Sequence, residues 1–208
     1  MKRLLSLTTV LFAAAFLAAC SGTSNLADLA MKAGKYETAA ELYRNFLEDH
    51  PNHLLTLRRL AVIECYELNQ FDSCVVHADS VLSAKPTDTT AVGAATYGHT
   101  ILAGRAIDIG DTARARRHID RIVEIHRWAG HWNYMNENYG RAERSFRQLI
   151  HILPDSTYGY LRLGILRWNQ MNDDSALVWF RRAEQIDSLN EDALINQIVV
   201  LRDMHRID

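Results

Sequence analysis

The chain has 208 residues, with 23 Lys and Arg against 25 Asp and Glu, so its formal net charge is −2 at pH 7. This near-neutral balance argues against a nucleic-acid partner, which would require a basic surface. The length and a hydrophobic content of 48% are sufficient for one domain with a real core.

The N-terminal segment has the organisation of a secretory signal. Lys2 and Arg3 form a positive start, and an apolar stretch interrupted only by one Ser and two Thr extends from Leu4 to Ala19. This stretch is shorter than the about 20 apolar residues that a helix needs to cross a bilayer. We therefore predict that residues 1–19 are a signal peptide, and the mature chain then begins at Cys20 with a net charge of about −4.

The end of this segment, Leu17-Ala18-Ala19-Cys20, resembles the lipobox of bacterial lipoproteins. The resemblance implies that Cys20 is lipidated on its sulfur and becomes the first mature residue. In enteric members of that family an Asp after the Cys retains the protein at the inner membrane. Ser21 therefore implies the outer membrane. No acidic run that would suggest surface export follows Cys20, so the chain is expected to face the periplasm. An ordinary secreted protein and a retained N-terminal anchor helix are the alternatives.

The three prolines mark a repeat with a period of about 34 residues. The interval from Pro51 to Pro86 is one period with one extra residue, and the interval from Pro86 to Pro154 is two periods. A further period leads to Ser188, in a segment of similar turn composition. Because Pro cannot continue a helix, each of these positions is predicted to lie just past a helix end. The spacing therefore predicts structural units one period long.

Small and large residues alternate in the same phase within the units. In residues 157–190, Gly164 is followed by Ala176, Phe180 and Ala183. A small residue at a helix crossing lets two helices approach to about 8–10 Å, and the large residues beside it fill the space between hairpins. The same alternation recurs at Ala39, Tyr43 and Phe46, at Cys74, Ala78 and Val81, and at Ala142, Phe146 and Leu149. The pattern predicts an all-α stack of helical hairpins.

With this period and alternation, residues 20–190 resemble tetratricopeptide-repeat (TPR) proteins. Together with the lipobox, the chain resembles the TPR lipoproteins of Gram-negative envelopes. The resemblance implies a right-handed superhelix whose concave groove binds a protein or peptide partner, and membrane attachment through the N-terminal lipid. Members of that group assist outer-membrane protein assembly, pilus secretin assembly or the recruitment of peptidoglycan enzymes.

Residues 87–138 depart from the regular pattern. The helix predicted over 90–109 is about two turns too long, and the next first helix is either compressed into 127–136 or merged with the helix before it. Because the total is still two periods, one insertion offsets one deletion. Residues 191–208 are predicted to form a C-terminal capping helix with a polar outer face, as the end of a repeat stack requires.

No motif indicates catalysis, a metal site or a cofactor. A nucleophile elbow and a P-loop are both missing from the sequence. The nine His residues lack the spacing of metal ligands and are interpreted as surface or rim residues. The chain is therefore predicted not to be an enzyme.

Cys65 and Cys74 are predicted to lie on the two helices of one hairpin. A disulfide would require their Cα atoms to lie about 4.4–6.8 Å apart. Two buried thiols that act as small hydrophobic residues are the favoured alternative, because Cys readily replaces Ala at a helix crossing.

Two sets of residues are candidate partner contacts. The first helix of each hairpin lines the groove in TPR-like stacks, and the side chains not used for packing on the second helix face inward. These are Tyr158, Leu161, Arg162, Ile165 and Trp168 in one unit and Arg58, Arg59 and Val62 in another. Their mixture of rings, aliphatic groups and Arg suits a peptide with an acidic element. The second set is Trp128, Trp132 and Tyr134, which form an aromatic cluster with His131 and either anchor a partner or fill the gap left by a shortened helix.

We therefore predict a protein-interaction scaffold or adaptor, anchored at the outer membrane and acting in envelope biogenesis. The alternatives are an oligomeric structural tether that assembles through its end helices, and a cell-wall enzyme with an unrecognised site.

Overall fold

A computed structural model describes residues 25–204. Within that range every regular element is an α-helix, which confirms the predicted all-α fold. The ten helices are α1 (25–32), α2 (Tyr36–Asp49), α3 (Leu54–Tyr66), α4 (Phe71–Ala84), α5 (Thr89–Asp108), α6 (Thr112–Met135), α7 (Tyr139–Ile152), α8 (Thr157–Asn169), α9 (Asp173–Ile186) and α10 (Glu191–Met204). None of these described helices has the length and apolar character needed to span a bilayer. The predicted signal peptide and Cys20 lie outside the described residues.

Two compact units divide the chain after Leu102, inside α5. The first contains α1 to α4 and the start of α5, and the second contains the end of α5 and α6 to α10. Within each unit, helices that follow one another along the chain pack together, as α2, α3 and α4 do in the first unit and α6 to α10 do in the second. This sequential packing is what a hairpin repeat predicts, since one hairpin cannot bury its apolar face alone.

Each turn inside a hairpin contains a residue with left-handed backbone geometry, which ends the first helix and reverses the chain. These residues are Gly34 (φ 70°), Asn69 (φ 55°), Gly110 (φ 75°), Glu137 (φ 59°) and Met171 (φ 56°).

The intervals between these turn residues locate the irregularity. The first and last intervals are close to one period, whereas the second is about seven residues too long and the third about seven residues too short. An insertion is therefore followed by a deletion of equal length, as predicted for 87–138. Two helical turns contain about seven residues, so the phase of the repeat is kept.

The insertion lies in α5, which has 20 residues against the 13 of α8. The deletion lies in α6, a helix of 24 residues that runs unbroken through the position where a turn would be expected. Of the two alternatives for 127–136, the merged helix is the one that forms. The C-terminal half of α6 still acts as the first helix of a hairpin with α7.

A glycine against a phenylalanine ring sets the distance between the helices of the last two hairpins. A Cβ atom at Gly164 would lie within 3.0 Å of the Phe180 ring, and one at Gly130 would meet Phe146 in the same way. Gly130 lies one period before Gly164, and Phe146 lies one period before Phe180. Both phenylalanine rings are buried, with 1% exposure or less. The predicted small-to-large packing therefore holds α6 to α7 and α8 to α9.

The interpretation of Cys65 and Cys74 as free thiols is wrong. The two form a disulfide that joins α3 to α4, with their Cα atoms 5.3 Å apart. Gly98 in α5 packs against this bridge, since a Cβ atom there would lie 3.2 Å from the sulfur of Cys65. The small crossing site brings the two helices close enough for the Cα distance that a disulfide needs.

Two histidines are buried, which corrects their interpretation as surface or rim residues. His99 and His126 are only 6% and 5% exposed. Burial lowers the pKa of His126 to about 4, because the charged imidazolium is poorly solvated inside the protein. The Nε2 atom of His99 lies 3.3 Å from a carboxylate oxygen of Asp79.

The outer face of α10 is not polar, contrary to expectation. Leu194, Ile195, Ile198 and Leu201 are between 37% and 65% exposed. The opposite face is anchored, because Val200 is fully buried in a cluster with residues of α9. The helix α10 is therefore apolar on both sides.

Candidate functional site

In the first unit, the arginines predicted to face a partner are paired within the chain. Arg58 contacts the carboxylate of Asp88 at 3.1 Å, and Arg59 contacts that of Asp28 at 2.6 Å. Asp28 also accepts a hydrogen bond from the hydroxyl of Tyr43. Burial, together with this hydrogen bond, raises the pKa of the Tyr43 hydroxyl, so the group stays protonated. These arginines are consequently neutralised before any partner arrives.

Val62, the third residue predicted in that unit, is half-buried on α3.

Glu64, also on α3, is fully buried and is paired with Arg44 at 2.9 Å and with His77 at 2.7 Å. Since removing a partner would leave an uncompensated buried charge, Glu64 is committed to this cluster and is not available as a binding group.

In the second unit, two guanidinium groups lie over one tyrosine ring. The guanidinium carbon of Arg127 is 4.3 Å from the centroid of the Tyr158 ring, and that of Arg162 is 5.0 Å away. Neither arginine has a carboxylate within ion-pair distance among residues 25–204. A cation over an aromatic face is attracted by the electrons of the ring, but this contact does not neutralise its charge.

These three residues line a cleft of about 220 Å³ between α6 and α8, together with Trp128 and His131. Glu124, the acidic residue of α6 closest to Arg127 along the chain, is already paired with Arg121 at 2.6 Å. The side chains lining the cleft are therefore cationic and aromatic. We call this set the Arg127–Arg162 cleft.

An exposed apolar stripe continues from the cleft along α6. Trp128, Trp132 and Met135 follow one another at helical spacing and are 56%, 50% and 64% exposed. Two half-exposed Trp side chains beside a cationic cleft are the kind of anchors that dominate protein interfaces. The structure therefore joins part of the predicted groove and part of the predicted aromatic surface into one candidate site.

The remaining predicted contacts are partly used in packing. Leu161, Ile165 and Trp168 are half-buried against the core cluster of α9 and α10. Tyr134 accepts a hydrogen bond from the side-chain amide of Asn169 and packs beside other core residues of α7 and α8. As partner contacts these four residues stay predictions.

One residue of the cleft, Arg127, was not among the predicted contacts. Arg127 lies one period before Leu161, as His131 lies before Ile165 and Trp128 before Arg162. Subtracting one period from the predicted groove residues would have found Arg127. The step was not available because the helix containing it could equally have been compressed or merged.

The same repeat register explains why Arg162 lacks an acidic partner. Arg162 occupies the position in its hairpin that Arg59 occupies in the second hairpin, where the partner is Asp28. The residue at the same interval before Arg162 is His131, which is not an acid. The second unit therefore keeps the arginine of the pattern and loses its carboxylate.

A neighbouring carboxylate is fixed away from the cleft. Glu143 on α7 contacts Arg167 at 2.5 Å and Arg147 at 2.8 Å. Burial alone would raise the pKa of Glu143, but the hydrogen bond from Arg147 and the charge of Arg167 outweigh it and leave that pKa below its ordinary value. Glu143 therefore stays ionised and paired. Across the described residues, no group of three His, Cys, Asp or Glu could hold a metal ion.

A comparison with protein families agrees with the repeat interpretation over part of the chain. Residues 24–64 match a family model described as tetratricopeptide repeat. The chain is similar to a thermophilic TPR protein of Thermus thermophilus, at 16% identity over 88% of this chain and 98% of that one, with a TM-score of 0.42. It is also similar to PilW, a widely conserved type IV pilus biogenesis factor, at 16% identity over 90% and 86% of the two chains, with a TM-score of 0.38.

A third similar structure is the TPR2AB-domain–pHSP90 complex of yeast Sti1, at 13% identity over 90% of this chain and 84% of that one, with a TM-score of 0.38. A comparison with curated proteins found no match. Residues 24–64 therefore match the tetratricopeptide-repeat family, and the crossing geometry of α6 with α7 returns one period later in α8 with α9. Repeats of this class are protein-interaction scaffolds.

Proposed function

We propose that this TPR chain is a lipid-anchored scaffold of the bacterial outer membrane, and that it binds an acidic segment of an envelope protein in the Arg127–Arg162 cleft. The observation that carries the binding site is the pair of guanidinium groups over Tyr158 with no carboxylate partner in the described chain. A guanidinium group can donate two parallel hydrogen bonds to a carboxylate. An acidic side chain of the partner would therefore form with Arg162 the ion pair that Asp28 forms with Arg59.

The surroundings of the cleft favour a peptide over a small anion. Trp128 and Trp132 extend the surface by more than one helical turn beyond the two arginines. An aromatic surface of this size covers the apolar side of a peptide while Arg fixes its charged side. A bare anion would leave both Trp side chains exposed to water.

Two observations support export to the envelope. The N-terminal segment ends in Leu-Ala-Ala-Cys, which resembles a lipobox. Cys65 and Cys74 are paired, and disulfides persist in oxidising compartments while they are rare in the cytosol. The positive start, the apolar stretch and the disulfide therefore favour the same compartment.

The binding site is tested by photocrosslinking in intact cells. A photoreactive amino acid in place of Trp132 should give a discrete crosslinked envelope protein, joined through a segment rich in Asp or Glu. Val178 on α9 is exposed to a similar degree, 55% against 50%, and the same substitution there should not give that product. An identical product from both positions, or none from Trp132, would contradict the assignment of the cleft.

The anchor is tested by metabolic labelling with a fatty acid. The wild-type chain should incorporate the label, and the Cys20→Ser variant should remain unlabelled and unprocessed or mis-sorted. Attachment through several acyl chains on Cys20 would be stable, because a single chain binds a membrane only marginally. Equal labelling of the two chains would contradict lipidation at Cys20.

A further inference from the structure

The last helix repeats the first helix of a hairpin and lacks a second helix in the described chain. The start of α10, Glu191, lies one period after Thr157, the start of α8. Ala193 is fully buried at the position of Gly159, and Val200 at the position of Leu166. The face that α10 buries is thus the face by which a first helix joins the preceding hairpin.

The exposed face of α10 corresponds to the face that α9 covers on α8. Ile198 lies one period after Gly164, against which the Phe180 ring of α9 packs. At this position Ile198 is 65% exposed, and Leu194 and Leu201 flank it at helical spacing with 37% and 39% exposure. A surface helix normally has one apolar stripe, so a second stripe calls for a second helix.

We propose that this second helix is α10 of another copy of the chain, so that two copies associate about a two-fold axis near Ile198. The two helices of a hairpin run antiparallel, and a two-fold axis perpendicular to α10 would likewise place two copies of this helix antiparallel. The apolar stripe fits this symmetry, because Ile195 and Leu201 lie three residues to either side of Ile198.

The charges of α10 favour the antiparallel arrangement over the parallel one. Glu191 and Asp192 are exposed in its first turn, and Arg202, which is 59% exposed in its last turn, is paired with the neighbouring Asp203 at 3.3 Å. Antiparallel pairing brings the acidic first turn of one copy beside Arg202 and Asp203 of the other, whose charges cancel. A parallel pairing would bring the two acidic first turns together, which costs free energy.

A single helix pair forms a small interface, at the low end of what specific association needs. We therefore expect a reversible dimer of micromolar affinity or weaker. This interface and the Arg127–Arg162 cleft use different residues, so each can exist without the other.

The test is analytical ultracentrifugation of the purified full chain in excess neutral detergent, over a wide concentration range. The wild-type chain should show a monomer–dimer equilibrium. The Ile198→Glu variant should raise its dissociation constant at least about tenfold, since it places a charge on the axis. The Val178→Glu variant, which changes a similarly exposed residue on α9, should behave as the wild type. A wild-type chain that stays monomeric, or a dimer unaffected by Ile198→Glu, would overturn the proposal.

A second measurement tests the axis itself. Cys65 and Cys74 are already paired, so an Ile198→Cys variant adds one reactive thiol to the described chain. Under oxidation this variant should form a covalent dimer, and the corresponding Val178→Cys variant should not. Equal crosslinking of the two variants would contradict a two-fold axis near Ile198.

Discussion

The guanidinium carbon of Arg127, on α6, lies 4.3 Å from the centroid of the Tyr158 ring, on α8. The two residues belong to successive hairpins, and the contact forms because α6 continues without a turn and presents its C-terminal half as the first helix of the next hairpin. The deletion, which is an irregularity in the repeat, therefore also builds the wall of the cleft.

The glycine at the α8–α9 crossing gives a stability prediction. Gly164→Ala should destabilise the fold by about 1–3 kcal/mol, because the added methyl overlaps the Phe180 ring in a packed core. The measurement is the urea midpoint of unfolding, followed by circular dichroism. Gly164→Ala combined with Phe180→Leu should recover part of the loss.

Gly104 in α5 is the matched control for that substitution. An added Cβ atom at Gly104 would meet no described atom within 4 Å. Gly104→Ala should therefore stabilise the chain by about 0.5–1 kcal/mol, through the reduced entropy of the unfolded state. Equal destabilisation by the two substitutions would contradict the role of Gly164 as a spacer.

The disulfide between Cys65 and Cys74 should stabilise the first unit. Replacing both residues by Ala removes a bridge with a sequence separation of 9 residues, which should cost about 2–3 kcal/mol. Both cysteines are fully buried, so the native bridge should also resist reductant until the chain unfolds. Guanidinium unfolding of the double variant checks the first point, and a change below about 0.5 kcal/mol would contradict it.

His126 should make stability depend on pH. The pKa of His126 is about 4 in the folded chain against an ordinary 6.5, so between these pH values the unfolded chain binds a proton that the folded chain does not. The contribution of His126 to the free energy of unfolding should be fully present above pH 6.5. It should be lost as the pH falls towards 4, which lowers that free energy by up to about 3 kcal/mol. Urea unfolding at several pH values measures the loss.

The His126→Gln variant separates this effect from that of the carboxylates. The pKa of Glu143 is lowered from an ordinary 4.5, so its contribution is lost only below that pH. The variant should consequently be flatter than the wild type between pH 6.5 and pH 4.5. Identical pH profiles for the two proteins would show that His126 is not responsible.

The hairpins and their order could be predicted from the sequence because the relevant signals are local. Pro51, Pro86 and Pro154 fall in turns between hairpins, as their spacing predicted. The packing of Gly164 against Phe180 could be predicted because it depends only on the sizes of the two residues. The compensation between a long α5 and a shortened repeat followed from counting residues between fixed points.

Pairings between helices could not be predicted in the same way. The disulfide depends on the distance between two helices, and composition alone left the thiol alternative favoured. The acids that neutralise Arg58 and Arg59 lie in other hairpins, far from them along the chain. The sequence identified Arg162 as a groove residue. That Arg162 has no carboxylate partner became clear only once the Arg59–Asp28 pair was known, because His131 then occupies the position that corresponds to Asp28.

The most direct test of the central claim is the affinity of the crosslinked partner segment for three purified chains. These are the wild type, an Arg127→Ala/Arg162→Ala variant, and an Arg181→Ala/Arg182→Ala variant that removes the same charge from the exposed surface of α9. If both cleft arginines are anchors, the first variant should lose at least about 2 kcal/mol, or roughly thirtyfold in affinity. The second should bind within about threefold of the wild type. Equal affinity for all three chains, with unchanged helical content, would contradict the assignment of the Arg127–Arg162 cleft as the binding site.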